Sequence, residues 1–295
     1  ARDDGSFADS SPRAEFPGDS APPSACCSTH HPAMLAPVAL IGFRGVQKAF
    51  GPKRVYPGLD LDSAEGESLT VIGGSGQGKS VMLRMLIGLL GIDGGTITFD
   101  GKVISNQPES EFAKVRRRVA MLFQGAALFD SLSVKENVAY GLREQFRMTE
   151  DEITERVRES LAYVGLEGIE HMWPADLSGG MKKRCSLARA IAVRPEVLLY
   201  DEPTTGLDPV NVERINNLVL HLKRTLNITS VVVTHDMSMV FAVSDRVAMV
   251  HSGGIIFSGT RDELLRCSDP RVADFIHGRP PVQKEDTATL LRSAG

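Results

Sequence analysis

The stretch "LTVIGGSGQGKS", residues 69–80, decides the fold class of this chain. An apolar strand at residues 69–72 leads into a glycine-rich loop, and a helix begins at Lys79. The loop fits the pattern G-x-x-x-x-G-K-[ST], whose glycines let backbone N–H groups surround phosphate oxygens without an obstructing Cβ atom. The pattern predicts that Lys79 reaches the β- and γ-phosphates of a nucleotide and that the Ser80 hydroxyl binds Mg²⁺. The other residues expected around the phosphates are Gly73, Gly74, Ser75, Gly76, Gln77 and Gly78.

Length, charge and hydropathy limit the class of protein. The chain has 295 residues, 42% of them hydrophobic, which is enough for a substantial core. Its formal net charge of −4 argues against a nucleic-acid partner, because general nucleic-acid binders are usually basic. No apolar run approaches the roughly 18 residues that a membrane-spanning helix needs. We therefore expect the chain to reach a membrane only through another protein.

The ends of the chain and its cysteines give further expectations. Residues 1–33 are rich in Ser, Pro, Ala and Asp, which predicts a disordered extension, with Met34 as the expected native start. Residues 269–295 are predicted to form a C-terminal tail, and its weakly patterned part after Pro281 is predicted to contain at most one short helix. The four cysteines show neither metal-site spacing nor a disulfide framework, which favours a reducing compartment. Adjacent Cys26 and Cys27 leave a lipid anchor as an alternative, although no apolar signal segment precedes them.

A pair of acids follows the apolar strand at residues 197–200 in "EVLLYDEPTTGLDP", residues 196–209. The carboxyl end of such a strand is where an α/β sheet binds its ligand. We expect Asp201 to enter the Mg²⁺ shell through a water molecule, and Glu202 to polarise the water that attacks the γ-phosphate. The alternative is a solvated strand end, which the phosphate loop (residues 73–80) disfavours.

Two more polar residues follow apolar strands. His235 follows the apolar strand in "ITSVVVTHD", residues 228–236, and we expect it to contact the γ-phosphate and to orient Glu202 and the attacking water. Gln124 follows a strand at residues 119–123, and its amide is expected to bind Mg²⁺ or water and to report the nucleotide state to the segment after it. A structural histidine and an ordinary polar loop residue are the alternatives.

A second anion site is predicted at "DLSGGMKKRC", residues 176–185. Here Ser178, Gly179 and Gly180 open a cationic helix predicted at residues 181–191. The free backbone N–H groups and the dipole at a helix N-terminus both favour negative charge. The sequence thus predicts two phosphate sites.

The phosphate loop, Gln124, "LSGGM", "YDEP", "GLDP" and "THD" occur in an order that resembles the ABC-type ATPases, over about residues 38–265. The resemblance implies an α/β fold: a P-loop NTPase core with a mostly parallel sheet, an antiparallel β subdomain and a helical subdomain. It implies an ATPase that uses ATP and Mg²⁺, with the ATPase domain at residues 34–268 and the helical subdomain at about residues 125–190.

The same resemblance explains the second phosphate site. In this family two ATPase subunits dimerise head to tail, so that Ser178, Gly179 and Gly180 (the signature loop) would face the γ-phosphate bound by the partner. Asp208 would contact the partner across the seam. Phe50 stands where the family places an aromatic residue against adenine, and Tyr56 is a weaker candidate.

The predicted elements fit this architecture. "EDEITERVRESLAYVGL", residues 150–166, is predicted to be a helix that buries Ile153, Val157, Leu161 and Val164 on one face. "GGIIFSGT" predicts a hairpin turn that leads into a last strand. Trp173 is expected to be packed. Strands are predicted to flank the phosphate loop at residues 38–43, 59–64 and 96–100, and to form the parallel core at residues 119–123, 197–200, 229–234 and 246–251.

Several segments are similar to a narrower group, among them "LSGGMKKRCSLARAIA", "YDEPTTGLDP" and the "GGSG" that begins the phosphate loop. "MLFQGAALFDSLSVKENVAYGL", residues 121–142, and "DPRVADFIHGRP", residues 269–280, look like the ATPase subunit of the Mla-type phospholipid transporters of Gram-negative envelopes. The resemblance implies phospholipid movement between inner and outer membranes, and a position on the cytoplasmic face of the inner membrane. It implies a membrane permease, a periplasmic lipid-binding subunit and a small cytoplasmic accessory subunit as partners. An importer for amino acids or ions, and a soluble ABC regulator or scaffold, are the alternatives.

An apolar segment follows Gln124. Leu128, Phe129 and Leu132 lie where a monomer would prefer polar residues, and exposed apolar patches mark interfaces. We interpret the segment as a socket for a permease helix. The alternative is that these side chains pack inside the helical subdomain.

Overall fold

The structure is a computed structural model, and it describes residues 39–279. The predictions for residues 1–33, Met34, Cys26 and Cys27, and for the tail beyond residue 279, lie outside this range. The strands are β1 (Ala39–Phe50), β2 (Lys53–Ala64), β3 (Ser68–Ile72), β4 (Gly94–Phe99), β5 (Lys102–Val103), β6 (Val119–Leu122), β7 (Val197–Asp201), β8 (Thr229–Val233), β9 (Arg246–His251) and β10 (Gly254–Gly259).

Six strands form the core sheet in the order β10-β9-β3-β8-β7-β6. All neighbours pair in parallel except β9 and β10, which form the predicted hairpin. Strands β3, β7 and β8 are buried at every residue, as expected for parallel strands with both faces covered. Because these three neighbours are parallel, the segments that follow them meet at one edge of the sheet.

The antiparallel subdomain is a four-stranded sheet in the order β2-β1-β4-β5. Its first two strands are longer than predicted, since β1 was expected to end at residue 43 and β2 to begin at residue 59. Glycine and charged residues interrupt the apolar pattern beyond Phe43, but a register shift between Phe43 and Val46 lets the pairing continue. The extended hairpin places Phe50 at its tip.

Nine α-helices lie within residues 39–279, and none of them is long and apolar enough to cross a bilayer. A 3₁₀ turn at Pro174–Asp176 precedes the fifth. The helices are α1 (Lys79–Leu86), α2 (Glu109–Arg118), α3 (Val134–Gln145), α4 (Glu150–Tyr163), α5 (Gly179–Ala192), α6 (Pro209–Leu226), α7 (Met237–Val243), α8 (Arg261–Leu265) and α9 (Pro270–Ile276).

Helices α3, α4 and α5 pack together in an apolar cluster that also includes residues of β6, β7, β8, α6 and α7. The face predicted for residues 150–166 is confirmed, because Ile153, Val157, Leu161 and Val164 are all buried there. A capping box begins α4: Glu152 N–H donates to the Thr149 hydroxyl while the Glu152 carboxylate accepts from the Thr149 backbone.

Two predictions near the signature loop are wrong. Trp173 is 50% exposed rather than packed. The neighbouring Met172 packs against the apolar cluster instead. Its carbonyl accepts a 2.9 Å hydrogen bond from Val134 N–H at the start of α3. Helix α5 begins at Gly179, not at residue 181, because the Ser178 hydroxyl caps it by accepting from Met181 N–H at 3.3 Å.

Candidate functional site

A cavity of about 630 Å³ lies over the phosphate loop, at the edge where β3, β7 and β8 end. This volume is in the range of small-molecule sites. The lining combines predicted and unpredicted residues: Phe50, Lys53, Val55, Gly74, Ser75, Gly76, Gln77, Gly78, Lys79, Ser80, Val81, Gln124, Glu202, His235 and Phe275.

The first and last loop glycines occupy positions that exclude a side chain. Gly73 has φ 153°, and a Cβ there would lie 2.5 Å from the Val250 carbonyl oxygen. Gly78 has φ 93°, and a Cβ there would lie 2.5 Å from a methyl group of Val55. Between them, the Gln77 side-chain oxygen accepts a 2.8 Å hydrogen bond from Ser252 N–H, which ties the loop to the turn between β9 and β10. The backbone is thus shaped for the close approach of a phosphate.

Lys79 begins α1 and turns its ammonium back over the loop. Nζ donates to the carbonyls of Gly73 at 2.8 Å and Gly74 at 3.2 Å, and it lies 3.5 Å from the Glu202 carboxylate. The side chain is buried. A cation held against the phosphate loop is suited to binding the terminal phosphates of a nucleotide.

Ser80 and Asp201 meet beside it. The Ser80 hydroxyl donates to the Asp201 carboxylate at 2.5 Å. Burial raises the pKa of Asp201, and the Ser80 hydrogen bond and the charge of Arg84 oppose that shift. Gln124 lines the same cavity with an exposed side chain. Hydroxyl, carboxylate and amide oxygens are the donors that Mg²⁺ accepts. No group of three or more His, Cys, Asp or Glu residues between 39 and 279 could hold a metal ion.

Glu202 and His235 form the other polar pair of the cavity. The Glu202 carboxylate lies 2.8 Å from Nδ1 of His235, and the Thr205 hydroxyl donates to it at 3.4 Å. Glu202 is only 8% exposed, and its backbone has φ 49°, a left-handed conformation that is costly for any residue with a Cβ. Its N–H donates to the Val233 carbonyl at 2.9 Å. Strand β8 therefore fixes the start of the segment that carries this carboxylate.

The signature loop lies elsewhere. Within residues 39–279, the cavity lining does not include Ser178, Gly179 or Gly180. Gly180 lies against α6, where a Cβ would be 2.9 Å from the Asn211 side-chain oxygen. Asp208 caps α6 by accepting from Asn211 N–H at 3.0 Å, and its carboxylate also accepts from the Asn211 side-chain amide. The side-chain bond and the backbone bond both lower the pKa of Asp208. The signature loop and Asp208 thus share a second surface of the chain.

The aromatic predictions divide. Phe50 is 46% exposed at the tip of the β1-β2 hairpin and lines the cavity. Tyr56 is buried in the core, so it cannot stack on a base. Phe275 of α9 also lines the cavity and was not predicted, since nothing in its local sequence links it to the phosphate loop. Lys53 and Val55 were missed because β2 was predicted to begin after them.

Comparison with known proteins places these features in context. Residues 56–205 match the ABC transporter family. The intermembrane phospholipid transport system ATP-binding protein MlaF of Haemophilus influenzae is 39% identical over 228 residues, which cover 77% of this chain and 86% of that protein. The probable ribonucleotide transport ATP-binding protein mkl of Mycobacterium leprae is 37% identical over 259 residues, 86% of this chain and 75% of that protein. The post-hydrolysis dimer of the ATP-binding cassette MJ0796 bound to ADP and Pi superposes with a TM-score of 0.69, at 30% identity, over 75% of this chain and 98% of that chain.

Proposed function

The chain belongs to the ABC transporter family of ATP-binding proteins, and we propose that it drives phospholipid transport between the inner and outer membranes. It is the ATP-binding subunit of a transporter and couples ATP hydrolysis to transport. The observation that carries the lipid proposal is the 39% identity to MlaF over 86% of the length of that protein. The name of the mkl relative favours ribonucleotide transport as a second candidate.

In the proposed mechanism the phosphate loop binds the phosphates of ATP and Lys79 neutralises the charge of the terminal ones. Phe50 stacks on the adenine ring. Ser80, Asp201 and Gln124 would hold Mg²⁺, which when bound neutralises charge on the phosphate oxygens. Their oxygen donors around one cavity support this assignment.

Glu202 is the proposed general base. Its carboxylate orients the attacking water and accepts its proton, while His235 holds the carboxylate and contacts the γ-phosphate. The 2.8 Å contact between the two side chains supports this division of roles. With Glu202 ionised, Nδ1 of His235 must carry the proton that it donates.

The proposed active unit is a head-to-tail homodimer. The signature loop and Asp208 lie on a surface apart from the cavity of their own chain, which is what a role toward the partner's ATP requires. The similar cassette MJ0796 bound to ADP and Pi is described as a dimer.

We also propose a docking groove for a permease helix, of about 370 Å³, between the core sheet and α3. Phe129 is 42% exposed in it, with its ring centroid 4.7 Å from that of Tyr140. Buried Asn137 holds the segment by accepting from Phe129 N–H at 2.8 Å and donating to the Leu132 carbonyl at 2.9 Å. Leu128, by contrast, packs against the helical core, as the alternative interpretation expected. The groove would hold the chain at the cytoplasmic face of the inner membrane.

Phe129→Asp is expected to uncouple ATP hydrolysis from the permease while ATP binding is unchanged. The change removes an exposed aromatic anchor, whose ring lies 5.7 Å from the Arg189 guanidinium, and such an anchor is worth about 2 kcal/mol, or about 30-fold in affinity. The measurement is permease co-purification together with ATP turnover in the reconstituted complex. Leu265→Asp, at an exposed apolar residue of α8 outside the groove, is the matched control. Normal assembly and coupling of the Phe129 variant would remove the groove from consideration.

The experiment that tests the lipid proposal is affinity purification of this chain from detergent-solubilised native membranes, with mass spectrometry of the proteins and lipids. A permease, a periplasmic lipid-binding subunit, a small accessory subunit and phospholipid are expected. A permease with bound nucleotide would support ribonucleotide transport, and another permease would point to a different importer. Recovery without any membrane protein would favour a soluble ABC regulator.

A further inference from the structure

Lys183 lies one turn into α5 and is buried, with 7% of its surface exposed. Its ammonium donates to three backbone carbonyls of one segment. The distances are 2.7 Å to Thr205, 2.8 Å to Pro203 and 3.4 Å to Glu202. This segment directly follows β7 and carries the proposed base.

The chemistry of this contact is specific to lysine. Among side chains, only the lysine ammonium offers three donors on one tetrahedral nitrogen. Burial of the charge lowers the pKa of Lys183, while the attraction of Glu202 acts in the opposite direction. A buried cation is costly unless its donors have acceptors. Here each of the three ammonium protons has a backbone carbonyl as its acceptor.

The segment needs such a restraint. Glu202 has a left-handed backbone, and strained conformations persist only where the surroundings hold them. Strand β8 fixes the segment before the residue, through the bond from Glu202 N–H to the Val233 carbonyl. Lys183 fixes it after the residue, through the three carbonyls. The Cα of Glu202, and with it the direction of the carboxylate, is held between these two restraints.

We propose that Lys183 is a positioning residue, which aims the Glu202 carboxylate by clamping residues 202–205 to the helix that begins at the signature loop. The proposal rests on the proposed roles of Glu202 and of the signature loop. Ser178 caps α5 and Lys183 lies in the next turn. One helix therefore connects the surface that would meet the partner's ATP with Glu202, the proposed general base of the chain's own site. Docking of the signature loop on the partner's nucleotide then sets the orientation of Glu202 in its own cavity.

The test is steady-state ATP hydrolysis by the assembled complex with Lys183→Met and Lys183→Arg. Lys183→Met should lower kcat about 10- to 100-fold, the effect of a small misplacement of a reacting group, and leave the KM for ATP within about twofold. Lys183→Arg, which keeps the charge and the donors, should recover part of the loss. Lys135→Met removes the same charge from a half-buried side chain on α3, outside both phosphate sites, and should match the wild type. Wild-type kcat in Lys183→Met, or equal losses in kcat and ATP affinity, would overturn the proposal.

A double-mutant cycle separates this proposal from the one for Glu202. If Lys183 acts through Glu202, adding Lys183→Met to Glu202→Gln should cost less than twofold further. The same 10- to 100-fold loss in both backgrounds would show that Lys183 acts elsewhere and overturn the proposal. A fully active Glu202→Gln variant would instead refute the assigned base. If Lys183→Met does not fold, Lys183→Gln takes its place in the cycle, because its planar amide offers two donors and no charge. An unchanged kcat in that variant together with unchanged thermal unfolding would exclude an aiming role.

Discussion

Glu202→Gln is expected to lower the rate of ATP hydrolysis by about 10²- to 10⁴-fold, the usual contribution of a general base. Glutamine has the same shape but cannot accept the proton of the attacking water. ATP binding should persist, because the phosphate loop and Lys79 are untouched. The hydrogen bond to His235 should also persist, since the amide oxygen can still accept from Nδ1. The variant should therefore accumulate as a closed dimer with two ATP molecules.

The measurements are single-turnover hydrolysis and the dimer fraction in ATP, by light scattering. Glu213→Gln, at an exposed acid on α6, is the control for loss of one negative charge and should behave as the wild type. Turnover of the Glu202 variant near the normal rate would mean that another group activates the water.

The second large effect is expected in mixed dimers that combine Lys79→Ala and Ser178→Arg. When the two changes lie in different subunits, head-to-tail geometry places both in the same ATP sandwich, and one intact site remains. When both lie in one subunit opposite a wild-type partner, each sandwich carries one lesion and hydrolysis is lost. The two arrangements contain the same substitutions, so each is the control for the other.

Two affinity tags, one per subunit, allow each mixed dimer to be isolated before hydrolysis and trapped nucleotide are measured. The separate-subunit arrangement should retain one trapped nucleotide per dimer. If the signature loop served the ATP of its own chain, the result would be reversed, with activity only when both changes share a subunit.

The parts of the site that were predictable from sequence are those whose signal is local. Strands β3, β7 and β8 are mostly apolar, as is typical of parallel strands that are buried on both faces. The polar residues that end them therefore had to meet at one sheet edge. The cavity indeed brings Lys79, Glu202 and His235 together, as their positions after buried strands predicted.

What could not be predicted depends on contacts between distant segments. Phe275 reaches the cavity through the packing of α9 on the edge of the core sheet, and its local sequence carries no sign of this. Phe50 and Tyr56 lie on the same hairpin, yet the fold buries Tyr56 and exposes Phe50. In the sequence, Lys183 is one of several charges on a cationic helix, and only the structure shows the carbonyls to which it donates.

The left-handed backbone of Glu202 has a consequence for how this chain responds to selection. The conformation costs on the order of 1–2 kcal/mol for a residue with a Cβ and nothing comparable for glycine. Position 202 is thus a place where thermal stability and turnover are opposed. A screen for heat resistance alone would favour glycine at this position. The selected variant would unfold at a higher temperature but would lack the proposed general base.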